Sequence, residues 1–502
     1  MPVKKTLIVM LILPALGRLL AAPPALAQEA SPGAGDAVAG FLPAALVMFL
    51  PLGLLLLAAS AQPARRAPVA AITLLLAWSV AALAYFAVGF AFNFGGIAQV
   101  LPHPDFAGLY WEWYPLDQSV EVEVARLWGV IALQGWALAD VAAKEAVLLL
   151  FISHVSLVGV AAMIPAAALV RRGQAGAALL MALLAGALVY PVAGNWLWGG
   201  GWLFNLGASL DLGHGLVDFG GASVIFLNGA ALALAALATF RPPVDAPEAE
   251  VATAPADAPG GEDAALPEPV AMPAAHLPIL STLGGGLLLL GWLGLASGVH
   301  APTAANFSPA QAATAGVLAG LGAALTAAAY SWFTTREFNP LMAGRGLAAG
   351  VVVAAAGAPF VDVWVTVLAG LLTGLLLPWL IYLFEEKLPL RDQTAALATF
   401  GVSSLLGLLL VGLAATGQAG QGWNSVGLPP DAAGAGISGL WFGGASGQLQ
   451  AQLLGAGVIF TWALLVGLAA MQLFRAVALR RAAPVADVAS VPEENPEQEF
   501  RQ

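Results

Sequence analysis

The chain has no cysteine. That absence excludes a disulfide framework, a thiol nucleophile and any cysteine-ligated metal. Charge is also scarce, at 9% of 502 residues against the roughly 25% of an ordinary soluble domain. No Walker loop, nucleotide fingerprint, metal-ligand cluster or catalytic triad is visible, so nothing here supports an enzyme, a bound cofactor or a nucleic-acid partner. What is present is apolar: 60% of the residues are hydrophobic, the composition of an all-α integral membrane protein that spans many times. The net charge of -11 gathers in loops and tails and bears on solubility rather than on a charged partner.

The first residues run Lys4, Lys5, an apolar stretch from Leu7 to Leu20, and Ala25-Leu26-Ala27 before Gln28. This is the charged, apolar, small-x-small order of a cleavable signal peptide over residues 1–27. The alternative is an uncleaved first helix, but Arg18 and Pro23-Pro24 leave a run too short to span well. Beyond it, eleven stretches are long and apolar enough to cross a hydrocarbon core of about 30 Å. They lie near 40–60, 69–92, 146–169, 176–196, 217–240, 277–299, 309–333, 346–358, 362–384, 394–416 and 451–474. The eighth is short and rich in alanine and glycine. Five spans fall within residues 28–241 and six within 275–475, separated by an acidic Pro/Ala-rich linker, 242–274, with too little apolar surface to fold. Residues 476–502 form a cytoplasmic tail, which from Ala482 to Gln502 reads the same way.

An odd number of spans puts the termini on opposite sides. The signal peptide then places the mature N-terminus outside and the C-terminus in the cytoplasm, across an inner or plasma membrane. Basic loop residues test this independently. Of 15 Lys and Arg after residue 27, 13 fall in loops that this scheme makes cytoplasmic, among them Arg65, Arg171, Arg345 and Arg480; only Arg126 and Lys144 fall outside. Five spans before the linker and six after it suit an inverted repeat of five plus five with one extra helix, whose pathway lies at the repeat interface near the midplane. The 58 glycines permit the close helix approach that such packing needs.

Few side chains in the spans can carry chemistry. Asp218, in Val217-Asp218-Phe219-Gly220-Gly221, sits at the mouth of the fifth span, where it can accept orphan backbone N–H groups. An intramembrane carboxylate is also a functional-site candidate by default. His154 lies roughly 12 Å into the third span. It offers a titratable site in an outer vestibule or a hydrogen bond between helices. His214, four residues before Asp218, can pair with it or be solvated. Lys144 and Glu145 read as interfacial anchors, and Asp362 as a cap or an exterior loop charge. Trp111, Trp113, Tyr114 and Trp128, in the exterior loop 95–143, read as anchors at the membrane interface or as a dock for a neighbouring subunit.

The segment Y-P-V-A-G-N-W-L-W-G-G-G-W-L from Tyr190, followed by V-D-F-G-G-A-S-V-I-F-L-N-G from Val217, resembles the ammonium transporter (Amt/Mep/Rh) family, whose fifth helix begins D-F-A-G. Gly89-Phe90-Ala91-Phe92-Asn93-Phe94-Gly95 is similar to that family's G-Y-S-L-A-F-G. Gly291-Trp292-Leu293-Gly294-Leu295 is similar to its G-W-F-G-F, and Gly346-Leu347-Ala348-Ala349-Gly350 to its G-A-L-A-G. The resemblance extends over most of the spans. It implies the ammonium-transporter fold of eleven transmembrane helices, a homotrimer in contact with membrane lipid, and inward movement of ammonium, ammonia or another small neutral solute.

By this resemblance Trp198 matches the recruiting tryptophan, and Asp218 the aspartate that supports the recruitment site without lining the pore. The first pore histidine of the family, eight residues after that aspartate, falls on Phe226, and the second on Ser403 in Thr399-Phe400-Gly401-Val402-Ser403. The recruiting hydroxyl falls on Val299, its neighbouring phenylalanine on Leu295, and the gating phenylalanine of the third helix on Leu157. A phenyl ring offers ammonia no hydrogen bond, and a serine does not relay a proton near neutral pH as imidazole does. The tail lacks the acidic, histidine-containing motif that a PII-type regulator would use. Two functions stand: an ammonium or ammonia transporter altered in conduction, and a non-conducting structural or interaction subunit of a larger membrane complex.

Overall fold

Segments that are apolar on every side make helices that must be surrounded by lipid or by other helices. The computed structural model describes residues 34–115, 126–240, 274–303, 305–388, 390–426 and 435–482. The expected signal peptide, all but the last residue of the linker 242–274 and the tail beyond 482 lie outside the described residues. Among the described residues ten helices are long and apolar enough to span. They are α1 (Gly40–Ser60), α2 (Ala67–Gln99), α3 (Glu145–Arg171), α4 (Ala175–Trp198), α5 (Ala222–Thr239), α6 (Ala274–Leu295), α7 (Pro309–Thr335), α9 (Val363–Lys387), α10 (Leu397–Ala414) and α11 (Gly447–Leu479). The eighth expected span is α8 (Pro340–Ala355), a helix of 16 residues capped by the Asn339 side chain, which accepts from Met342 N at 3.1 Å.

Burial sorts these helices into centre and rim. In α5, 89% of the hydrophobic window is buried, and in α3, 72%, whereas α11 buries 28% and α9 33%. The first pair forms the middle of the bundle, and the second pair presents leucine and tryptophan to lipid, as Trp364, Leu372 and Trp379 show. Helices approach to backbone contact where side chains vanish. A Cβ on Gly53 of α1 would lie 2.7 Å from the Gly284 carbonyl of α6, and one on Gly374 of α9 would lie 2.1 Å from the Ala323 carbonyl of α7.

Both halves place an aspartate before their last helix. Asp218 accepts from Ala222 N at 2.8 Å, Ser223 N at 2.6 Å and Ser223 Oγ at 2.6 Å, and α5 then opens on a π-helical turn, Ala222–Leu227. Asp392 accepts from Leu397 N at 2.8 Å and Thr394 Oγ1 at 2.8 Å, and α10 opens on the π-helical turn Leu397–Val402. The two turns are counterparts in the five-plus-five repeat.

The two ends of the bundle differ in kind. At one end, arginines tie helix termini together. Arg66 donates to the Arg171 carbonyl (3.1 Å), Arg171 to Gln393 Oε1 (2.6 Å) and Arg345 to the Gln393 carbonyl (2.9 Å), while Arg172 donates to the carbonyls of Phe240 and Leu390. At the other end, the connection between α2 and α3 forms a two-stranded hairpin, β1 (Glu112–Trp113) with β2 (Ile131–Ala132). It is pinned to α4 by Trp196 Nε1, which donates to the Val130 carbonyl at 2.9 Å. These are called below the arginine face and the hairpin face.

Candidate functional site

Trp198 closes α4 with its ring 3% exposed, packed against Gly221, where a Cβ would lie 3.0 Å from the indole. Gly221 has φ +76, the left-handed conformation that lets the chain turn into α5 just after Asp218, so the aspartate's turn shapes the tryptophan's wall. Two imidazoles stand edge-on to that indole. His154 is 5.3 Å from it between ring centroids, at 82°, and His300 is 5.3 Å from it at 77°. Phe94 and Phe219 complete the aromatic lining, at 4.8 Å from His154 and 5.7 Å from His300.

The hydrogen bonds fix the protons. His154 Nε2 lies 2.8 Å from the His300 carbonyl, which only accepts, so Nε2 carries hydrogen and Nδ1 accepts from the Tyr190 hydroxyl at 2.7 Å. His300 Nε2 likewise donates to the Phe219 carbonyl at 2.6 Å. Its Nδ1 is then a buried lone pair without a protein donor, and Trp198 Nε1 is a buried N–H without a protein acceptor. Buried polar atoms of this kind are rare in folded proteins. This buried cluster therefore brings an aromatic ring, an imidazole acceptor and an indole donor side by side.

Toward the middle of the bundle the lining becomes apolar. Leu157, one turn beyond His154, and Leu295 are buried, and Val299 packs against the same core. Below them Phe226 and Phe400 stack face to face, with centroids 6.0 Å apart and ring planes 9° from parallel. On the arginine side of the stack the Asn228 amide and the Thr399 hydroxyl are buried without protein partners. A narrow cleft lined by Leu54, Ile164, Thr399 and Phe400 continues from there toward Arg345.

Trp198, His154 and the backbone turn of Asp218 come together. The expected partnership of Phe226 with Ser403 is replaced by one with Phe400; the Ser403 hydroxyl donates within its own helix, to the Ala398 carbonyl at 3.4 Å. His214 does not pair with Asp218. Its Nε2 lies 3.1 Å from the Ala435 carbonyl and burial pushes its pKa down, while the Asp218 carboxylate is taken up by Ala222 and Ser223. Trp111 and Trp113 are exposed, as interfacial aromatics would be. Sequence reading missed His300, the residue after Val299, and Glu112, between those two tryptophans.

A profile of the Ammonium Transporter Family matches residues 39–259 and 268–484. The chain belongs to this family. Among its relatives, ammonium transporter Amt2 of Archaeoglobus fulgidus is 26% identical over 443 residues, which is 88% of this chain and 82% of that protein. The ammonium transporter of Bacillus subtilis is 26% identical over 56% of this chain and 57% of its own length. Of solved structures, one named Sensor Amt Protein superposes with TM-score 0.64 at 21% identity, covering 87% of this chain and 92% of that one. Candida albicans Mep2 superposes with TM-score 0.63 at 19% identity, covering 89% and 85%. These likenesses establish the ammonium-transporter fold and a multi-pass membrane protein of that family.

Proposed function

We propose that this family member binds ammonium in the pocket of Trp198, His154 and His300 and that the Phe226–Phe400 stack closes the route behind it to ions. The work of the molecule is then ammonium binding at the membrane, with at most slow passage of neutral ammonia. The stack is the observation that carries this reading. Ammonium over an indole gains about 0.5 to 2 kcal/mol. A bare ion in hydrocarbon costs far more, so a conducting member needs polar groups that take its proton at the constriction. Two phenyl rings supply none.

The register of the repeat supports placing Phe400, not Ser403, opposite Phe226. Phe226 follows the capping Asp218 by eight residues, and Phe400 follows the capping Asp392 by eight residues. The second reading, a conducting transporter whose rings part, draws on Asn228 and Thr399, polar groups with no partner beyond the stack. In either case we place the pocket outside and the arginine face in the cytoplasm of an inner or plasma membrane, in a homotrimer, following the resemblance and the sorting of basic residues.

Ammonium-evoked current in proteoliposomes of the wild-type protein decides between the two. Silence is expected, together with saturable ammonium binding to detergent-purified protein that Trp198→Leu weakens. Phe226→His with Phe400→His should raise the current, whereas Phe226→His with Ser403→His should not. A robust wild-type current above protein-free liposomes would overturn the closed-stack reading.

A further inference from the structure

A second polar cluster lies beside the aromatic pocket and is not used by it. Around Glu112 the strand alternation is inverted. Trp111 and Trp113 face out, at 42% and 48% exposure, and the carboxylate between them faces in, at 8%. Glu112 Oε2 accepts from Asn195 Nδ2 at 3.1 Å, and the same amide donates to the Asn93 carbonyl at 3.3 Å. Asn93 Nδ2 donates onward to the Tyr85 hydroxyl at 3.1 Å. Among the described residues three atoms of this cluster are buried with no protein partner: Glu112 Oε1, Asn93 Oδ1 and Asn195 Oδ1. With Glu112 ionised, all three are acceptors.

The cluster is built to keep side chains out. A Cβ on Gly96 would fall 2.3 Å from Glu112 Oε2, one on Gly129 2.5 Å from Glu112 Oε1, one on Gly194 2.7 Å from Asn93 Oδ1, and one on Gly201 2.7 Å from Asn195 Oδ1. The Asn195 amide has spent both its hydrogens on Asn93 and Glu112, so with Glu112 ionised neither of these two residues has a donor left for the three oxygens. Oxygen ligands with one carboxylate suit a hard cation of single charge; calcium takes six to eight oxygens, commonly from several carboxylates. We propose that Glu112, Asn93 and Asn195 form a site for a small monovalent cation, distinct from the Trp198 pocket.

Protons compete for the same carboxylate. Burial pushes the Glu112 pKa up to about 8, with the Asn195 hydrogen bond opposing the shift. Packed directly against the carboxylate are Asn195 of α4, Gly96 of α2 and Gly129 of the loop, none of them titratable. The next titratable side chains along the hydrogen bonds are Tyr85, behind Asn93, and His154, stacked on Tyr85.

The test titrates full-length protein in detergent with sodium or potassium chloride, which the Trp198 pocket is not proposed to bind, against choline chloride at constant ionic strength, reading the unfolding temperature. One of the two cations is expected to raise the unfolding temperature saturably in wild type and in Trp198→Leu. Glu112→Gln, whose amide N–H can serve an orphan oxygen, should abolish the rise. The wild-type titration stands even where a variant fails to fold. The proposal falls if neither cation shifts the wild type, which would leave Glu112 a buried acid, or if the shift survives Glu112→Gln. Loss of the shift in Trp198→Leu alone would also sink it, and would assign the cation to the aromatic pocket instead.

Discussion

Glu112 shows how one side chain can make stability follow pH. Its ordinary pKa is 4.5 and its folded value about 8, so between those limits the native state holds a proton that the unfolded state has released. Stability with respect to unfolding therefore falls as pH rises through that window and is flat on either side of it. In choline chloride the unfolding temperature of wild type should decline from pH 5 to 8, and Glu112→Gln should decline less. An equal slope in both proteins would show that the carboxylate is not the titrating group. The residue was legible in W-E-W only as a reversed alternation, and sequence reading took the tryptophans for the message and passed over the acid. His300 was hidden for a different reason. It lies just past the apolar run of α6, and its orphan Nδ1 exists only because the Phe219 carbonyl, 81 positions away, engages Nε2. Asp218 and Trp198, by contrast, stand in motifs whose local geometry is set within a few residues, and these could be read directly.

At the scale of elements, the informative pair is the two π-helical turns that open α5 and α10. A π turn widens the helix by one residue and re-aims the side chains it carries. Here the two turns present Phe226 and Phe400 to each other. Each turn is held by an aspartate, and each should fail in the same way. Asp218→Ala strands two backbone N–H groups and the Ser223 hydroxyl, with unsatisfied buried groups costing about 1 to 3 kcal/mol each. Asp392→Ala strands the Leu397 N–H and the Thr394 hydroxyl. Denaturant or thermal unfolding should show a loss of at least about 2 kcal/mol for Asp218→Ala and a smaller loss for Asp392→Ala. No loss at either position would remove the capping role. This symmetry puts Phe400, rather than Ser403, opposite Phe226. A sequence shows the aspartates and the phenylalanines, but the doubled spacing becomes compelling only once both carboxylates are seen bonded to the turn that follows them. The helices themselves were easier, since twenty apolar residues in a row leave the chain few alternatives. Only α8, at 16 residues, falls short of a spanning length.

Over the whole molecule, basic residues are unevenly shared between the two ends of the bundle. Arg66, Arg171, Arg172 and Arg345 gather at one end of the bundle, where their guanidinium groups tie the ends of α2, α3, α8 and α10. The hairpin of β1 and β2 caps the other end, with Tyr110, Trp111 and Trp113 exposed. A basic end is retained on the cytoplasmic side, because moving those charges across the bilayer during insertion is disfavoured. In the proposed orientation Trp198 lies on the outer side of the Phe226–Phe400 stack and Arg345 on the cytoplasmic side. Since the chain contains no cysteine, single substitutions report cleanly. Arg65→Cys, an exposed position at the arginine end, should resist a membrane-impermeant maleimide in intact cells and react after permeabilisation, whereas Tyr110→Cys should react in both. The reverse pattern would turn the molecule over and put the binding pocket in the cytoplasm. Two reactive positions in intact cells would mean that the spans do not separate the two ends, and the orientation assigned from charge would have to be abandoned.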